Sequence, residues 1–290
     1  MAVEPHRLLR RALAVGCLVA AAALPATPPA SVPDAGGDAA RPLVLRVLQL
    51  NLCNSGRAGC YTGRAMTTAS EVVRAEAPDL LTLNEVCQGD VAALRRVFAT
   101  VHPGRTIVSA FRAAPDRPSG DDTRCRNGQP YGVGLLTHLR TPRTPYAVYD
   151  GVHPTQDLAD PEVRAWLCVK VDGAVLACTT HLAATGYRVA LTQCRHLLDM
   201  ILPALSRRFG YEPVVVTGDL NLRADADPDV RSCTPSGYQR IDDGRLQHLL
   251  ATTDITLCCR RSVPLRGATD HPGLLATLTI DRSRPGRPSS

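Results

Sequence analysis

Hydrophobic residues along the chain come in short, nearly unbroken runs separated by polar stretches rich in Gly and Pro. LVLRVLQL (43–50), LLTLNEV (80–86), YGVGLLTH (131–138), VVVTGD (214–219), DITLCC (254–259) and GLLATLTI (273–280) all have strand length. WLCVKV and VLACTTHL flank Asp172 and Gly173, a combination that predicts a β-hairpin. Helical spacing is rarer. It occurs over 64–77, stopped by Pro78, and in VAALRRVFA, opened by Asp90. The longest such segment is Tyr187 to Leu202, where Leu191, Leu198, Ile201 and Leu202 fall near helical spacing and Pro203 marks an end. Residues 100–130 and 140–162 are polar and are expected to be surface loops. Most of the strand-like runs are apolar on both faces, so each sheet must be covered twice. Two packed sheets with outer helices satisfy this.

At the N-terminus Arg7, Arg10 and Arg11 precede an apolar run from Ala12 to Leu24, followed by Pro25. That run is too short to span a bilayer as a stable helix, and the pattern reads as a signal peptide. The expected organisation is a signal peptide with a Pro/Ala-rich linker over 1–40, one domain over 41–280 and a flexible tail over 281–290. The mature protein is expected to be secreted and monomeric, with no integral membrane segment.

Of the 11 cysteines, Cys17 falls in the export segment. The other ten form an even set on an exported chain and predict a disulfide framework of five bridges. No C-x-x-C pair or Cys/His cluster suggests zinc. Local spacing favours Cys53–Cys60, around the turn NSGRAG, and Cys168–Cys178, equidistant from Gly173. The net charge of +6 is compatible with an anionic partner such as nucleic acid or a phospholipid surface.

Chemistry concentrates where strands start or stop. Asn51 and Glu85 close the first two apolar runs, and a carboxylate with an amide oxygen suits a hard divalent cation. His181 ends the hairpin in TTHL. Asp219 and Asn221 lie in VVVTGDLN, and Asp254 begins DITLCC. Asp270 and His271 form TDHPG, where a neighbouring carboxylate can hold an imidazole in one tautomer and raise its basicity.

The order Asn51, Glu85, His181, Asp219-x-Asn221, Asp254, Asp270-His271 resembles the endonuclease/exonuclease/phosphatase superfamily, over about Leu43 to Ile280. GDLN followed some fifty residues later by TDH is the most specific part. The resemblance implies an α/β four-layer sandwich, with two mainly antiparallel β-sheets flanked by helices and the site at one end. It also implies a metal-dependent phosphoric ester hydrolase. Glu85 and Asn51 would bind magnesium, with manganese or calcium as alternatives. Asp219 would orient or deprotonate water, with Asn221 holding it or the phosphate. His181 would hydrogen-bond a phosphate oxygen, and His271 would transfer protons with Asp270 or Asp254 as its carboxylate. Asn51, Asn221, Tyr131 and Arg188 are the substrate-binding candidates. The chain departs from the family where YGVGLLTHLR replaces the usual Gly-x-Ala-x-x-Ser-[Lys/Arg] strand, and in the cysteines beside its motifs. Nucleic acid is the leading substrate. A phospholipid phosphodiesterase would want exposed aromatics, and the chain has one Trp and three Phe. A sugar or inositol phosphate phosphatase and a noncatalytic binding module on the same scaffold are the other readings.

Overall fold

The computed structural model describes residues 42–141 and 143–281. The expected export segment and all but the first residue of the expected tail lie outside them. Twelve strands form two six-stranded sheets. One sheet has the order β11-β12-β1-β2-β4-β3, from Leu43–Asn51 (β1), Leu80–Cys87 (β2), Val108–Ala113 (β3), Tyr131–Thr137 (β4), Ile255–Val263 (β11) and Gly273–Ile280 (β12). The other has the order β5-β6-β7-β8-β10-β9. Its strands are Tyr146–Val152 (β5), Ala165–Val171 (β6), Val175–His181 (β7), Val214–Asp219 (β8), Tyr238–Asp242 (β9) and Gln247–Thr252 (β10). Pairing is antiparallel except for β1 with β2 and β7 with β8.

The layers follow from the side chains. Leu45, Val47 and Leu135 of one sheet meet Leu167, Val169 and Val215 of the other in an interior that excludes water from both inner faces. The outer face of the first sheet, including Leu48, Leu50 and Leu83, is covered by Ala65–Glu76 (α1) and Gln88–Val101 (α2) through Ala69, Val73, Leu94 and Phe98. The second sheet is covered on its outer face by Tyr187–Arg195 (α3) and Leu202–Phe209 (α4), and by the turn of helix between them, through Ala190, Leu197 and Leu202. These are the four layers the resemblance implied.

Several boundaries depart from the sequence reading. Pro203 does not end the last long helix. A π-helical stretch, His196–Ile201, precedes it, and Leu202 N–H donates to the Leu197 carbonyl. Pro203 thereby falls in the first turn of α4, where a missing N–H costs little. Helix α2 starts at Gln88, and Asp90 caps it from inside by accepting the Cys87 N–H at 2.8 Å. The expected loops 100–130 and 140–162 each contain a strand, β3 and β5, and β9 and β10 complete the second sheet.

Four disulfides are present, Cys53–Cys60, Cys87–Cys125, Cys168–Cys178 and Cys194–Cys233. The two pairings expected from spacing are among them, but the fifth bridge is not. Cys258 and Cys259 are free and exposed on β11, an outer strand. The ladder of β11 shifts register between Leu257 and Cys259, and every other cysteine of the described residues is engaged elsewhere.

Candidate active site

The two parallel pairs bring four strand ends to one end of the sandwich. In the ladders, Asn51 lies beside Asn84 and His181 beside Asp219, while Gln247 opens β10 opposite Asp219. Gly218 is required for that closure, because a Cβ there would sit 2.0 Å from the Thr180 carbonyl oxygen.

A buried polar seam ties the sheets together beneath these residues. Gln49 donates to Asn84 at 2.7 Å and to Gln247 at 3.1 Å, Thr217 to Thr82 at 2.6 Å, and the Asp219 N–H to Asn84 Oδ1 at 2.7 Å. Amides and hydroxyls this deep are costly unless paired, so the seam penalises any other register of one sheet against the other.

Glu85 leaves the β2–β4 ladder at a register shift, with φ of 55°. A non-glycine residue in the left-handed region costs of order 1–3 kcal/mol, and here it aims the carboxylate into the cleft. Asn51 Nδ2 donates to Glu85 Oε1 at 2.8 Å and to Asp219 Oδ2 at 3.1 Å. Asp219 also receives Gln247 Nε2 at 2.8 Å and the Asn221 N–H at 3.1 Å. His271 Nε2 is 3.5 Å from Asp219 Oδ2 and 3.7 Å from Asp270 Oδ1. Facing them, His181 Nε2 lies 3.8 Å from Glu85 Oε1. Burial pushes the Glu85 carboxyl up, with repulsion from Asp219 and Asp270 adding to it, and burial pushes Asp219 up as well. His181 is held well below the ordinary imidazole range by burial, then by Arg164 and His271.

Glu85, His181, Asp219, Asp270 and His271 line a cleft of about 630 Å³ that also takes in Arg57, Arg124, Tyr131, Glu162 and Arg164, whereas Asn51 and Gln247 are fully buried and do not line it. Tyr131, a substrate-binding candidate, stands in its wall. Asn221 reaches the cleft while its amide donates to the Leu182 carbonyl at 2.9 Å.

Two expected residues lie elsewhere. Asp254 sits in the turn before β11, where it accepts the Tyr211 hydroxyl at 2.7 Å, so Asp270 and Asp219 are the carboxylates nearest His271. Arg188 is exposed on α3 and does not line the cleft, because the helix turns that face to solvent. His138, another polar residue of the β4 segment, pairs with Asp79 at 2.7 Å, beyond the end of β4 opposite Tyr131.

Arg164 was not singled out by sequence. It donates from NH1 to His181 Nδ1 at 2.7 Å and to Glu162 at 3.2 Å, and from NH2 to Asp160 at 2.5 Å. A signal existed in DPEVR: positions 160, 162 and 164 alternate and so share one face of an extended chain. Gln247 offered no such signal, since its partner Asp219 lies 28 residues away.

The donors fit a hard cation. Glu85 presents a carboxylate raised by burial first and by its acidic neighbours second, an environment that binding a divalent ion relieves. Such an ion, when bound, supplies Lewis-acid stabilisation of charge on phosphoryl oxygens. Asn51 presents its nitrogen to Glu85, because its oxygen accepts the Cys53 N–H at 3.1 Å. In this orientation it separates the two carboxylates rather than offering the ligand oxygen that was expected. The Cys53–Cys60 sulfurs lie within 4.8 Å of the Asp270 carboxylate. As a disulfide they are no ligands, and they brace the loop beside the site.

A two-sheet sandwich with carboxylates and two histidines at one end defines a phosphoric ester hydrolase of this architecture. The model of the Endonuclease/Exonuclease/phosphatase family matches residues 48–271, and the chain belongs to that family, whose members hydrolyse phosphoric esters and generally use divalent metal ions. No curated protein matches the chain. Among solved structures, the endonuclease/exonuclease/phosphatase from Beutenbergia cavernae is similar with a TM-score of 0.58 and 20% identity, over 82% of this chain and 72% of that one. The human Nocturnin catalytic domain with bound sulfate has a TM-score of 0.61 and 18% identity, over 81% and 93%. ANGEL2, described as a 2',3'-cyclic phosphatase, has a TM-score of 0.59 and 12% identity, over 83% and 96%.

Proposed function

We propose that this chain is a secreted phosphodiesterase that uses magnesium to cleave nucleic acid. The observation that carries the reading is one cleft bounded by Glu85 and Asp219, with His271 beside Asp219 and His181 across from it. Charge that develops on nonbridging and leaving oxygens would meet a cation at Glu85 and a hydrogen-bond donor from His181. Asp219, oriented by Asn51 and Gln247, is placed to align or deprotonate the attacking water, with His271 in proton transfer.

A polyanionic substrate is supported by the net charge of +6 and by Arg57 and Arg124 at the cleft. Among the described residues neither arginine makes an ion pair, whereas the cleft's Asp160 is engaged by Arg164. Both stand on loops held by disulfides, Cys53–Cys60 and Cys87–Cys125. Export is supported by the N-terminal pattern and by the four bridges, which persist in oxidising compartments.

The test is incubation of the purified protein and magnesium with plasmid DNA, RNA, sphingomyelin and inositol phosphates. Cleavage of DNA or RNA above the others is expected. Exclusive turnover of a lipid or of a small phosphomonoester would overturn the nucleic-acid reading, and no turnover of any would overturn the catalytic one.

A further inference from the structure

Arg164 immediately precedes β6, and in the β6–β7 ladder Trp166 pairs with Thr180, which sets Arg164 beside the end of β7 where His181 stands. Its side chain is buried, and three acceptors take three of its five N–H hydrogens, while Nε has no partner among the described residues. NH2 points to Asp160, while the two hydrogens of NH1 are divided between Glu162 Oε1 and His181 Nδ1. The two carboxylates offset the cost of burying a guanidinium and hold its plane fixed.

A guanidinium remains charged at every working pH, and its nitrogens only donate. The partner nitrogen of His181 must therefore accept. In a neutral imidazole with Nδ1 accepting, the proton is on Nε2. Rotating the ring by a half turn would put a carbon against the NH1 hydrogen and leave a buried donor unpaired, at a cost of about 1–3 kcal/mol. Nε2 is the atom turned toward the cleft, on the Glu85 side.

We propose that Arg164 is a positioning residue that fixes His181 in the Nε2–H tautomer, so that His181 meets the substrate phosphate as a hydrogen-bond donor and never as the acceptor of the water proton. This rests on the reading of the cleft as a phosphoric ester hydrolase site. It divides the labour between the histidines. The arginine-backed His181 stabilises charge on a phosphate or leaving oxygen, and proton acceptance falls to Asp219 and His271. Asp160 and Glu162 act one step further out, by keeping the guanidinium in register with the ring.

The direct test is the long-range proton–nitrogen spectrum of the full-length protein labelled with 15N-histidine, at neutral pH, with and without magnesium. The His181 signals are assigned by their loss in His181→Gln. A protonated Nε2 and an unprotonated Nδ1 are expected in both states. In Arg164→Met the preference should vanish or reverse, and Arg164→Lys, whose ammonium also only donates, should restore it. On a simple diester, Arg164→Met should lose about 10²-fold in kcat with little change in KM. The wild-type spectrum decides the matter even if the Met variant fails to fold. A protonated Nδ1 in the wild type overturns the proposal whatever the activity, as does a folded Arg164→Met with an unchanged spectrum. The expected spectrum in a protein that hydrolyses no phosphate ester overturns the functional reading, and the donor role with it.

Discussion

Asn51 and Asp219, 168 residues apart and on different sheets, are joined by a 3.1 Å hydrogen bond from the same amide nitrogen that holds Glu85 at 2.8 Å. One neutral side chain thus holds two carboxylates in a common cleft. Removing it should expose their repulsion. Asn51→Ala is expected to lose about 1–3 kcal/mol of stability, because two buried carboxylates lose a donor. Magnesium should restore more of this in the variant than it adds to the wild type. Thermal unfolding with and without the ion measures the difference, and equal magnesium increments in the two proteins would contradict this role for Asn51.

Glu85→Gln replaces the best hard-cation ligand with a neutral amide of the same shape. The fold should persist. Turnover at limiting magnesium should fall by at least about 10²-fold, and calorimetric titration should show weaker magnesium binding. Full activity at limiting magnesium would remove Glu85 from the metal site.

The free cysteines set a number that labelling can read. In protein freed of the expected export segment, which carries Cys17, thiol labelling after denaturation without reductant should mark two sites per chain, Cys258 and Cys259, and none in the Cys258→Ser/Cys259→Ser variant. An unlabelled wild-type protein would mean that this pair is engaged in a bond the fold does not show.

His248, buried on β10, is held down to about 4 by burial above all, and its Nε2 meets the Leu222 carbonyl at 2.7 Å. The unfolded chain takes up this proton near pH 6.5, whereas the folded chain resists it until about 4. Stability from this group is therefore complete above the unfolded value and is lost as pH falls between the two. The loss amounts to as much as about 3 kcal/mol. Glu162, raised to about 7 chiefly by burial, works in the opposite direction over part of that range. The measurable quantity is hence the difference between His248→Gln and the wild type in denaturant unfolding from pH 7 to 4. The wild type should lose stability more steeply, and parallel curves would contradict the assignment.

The strands that could be read from sequence are those buried on both faces, such as β2 and β8, whose apolar runs suit a sheet covered on both sides. Strand β5 was hidden because it is an edge strand, YAVYDGV, whose residues alternate between half-buried and exposed. Strand β9 is half-buried throughout and carries Gln239, Arg240 and Asp242, a composition that reads as loop. Strand β10 is fully buried but opens with Gln247 and His248, polar residues whose partners, Asp219 and the Leu222 carbonyl, only the fold brings near. The cleft residues were legible where a motif sits at a strand end. Asp254 misled because its motif lies at a strand start whose far neighbour, Tyr211, has no sequence signature.

His181 and His271, on opposite sides of one cleft, would act on a single phosphate. The measurement that tests it most directly is the magnesium-dependent rate on a nucleic-acid diester for His181→Ala, His271→Ala and the double variant, with magnesium affinity followed in parallel. Each single substitution should lower turnover by about 10²- to 10⁴-fold. The double should be little worse than the poorer single, as expected of groups that work as a unit. Near-normal rates in both single variants, with unaltered magnesium binding, would contradict the account.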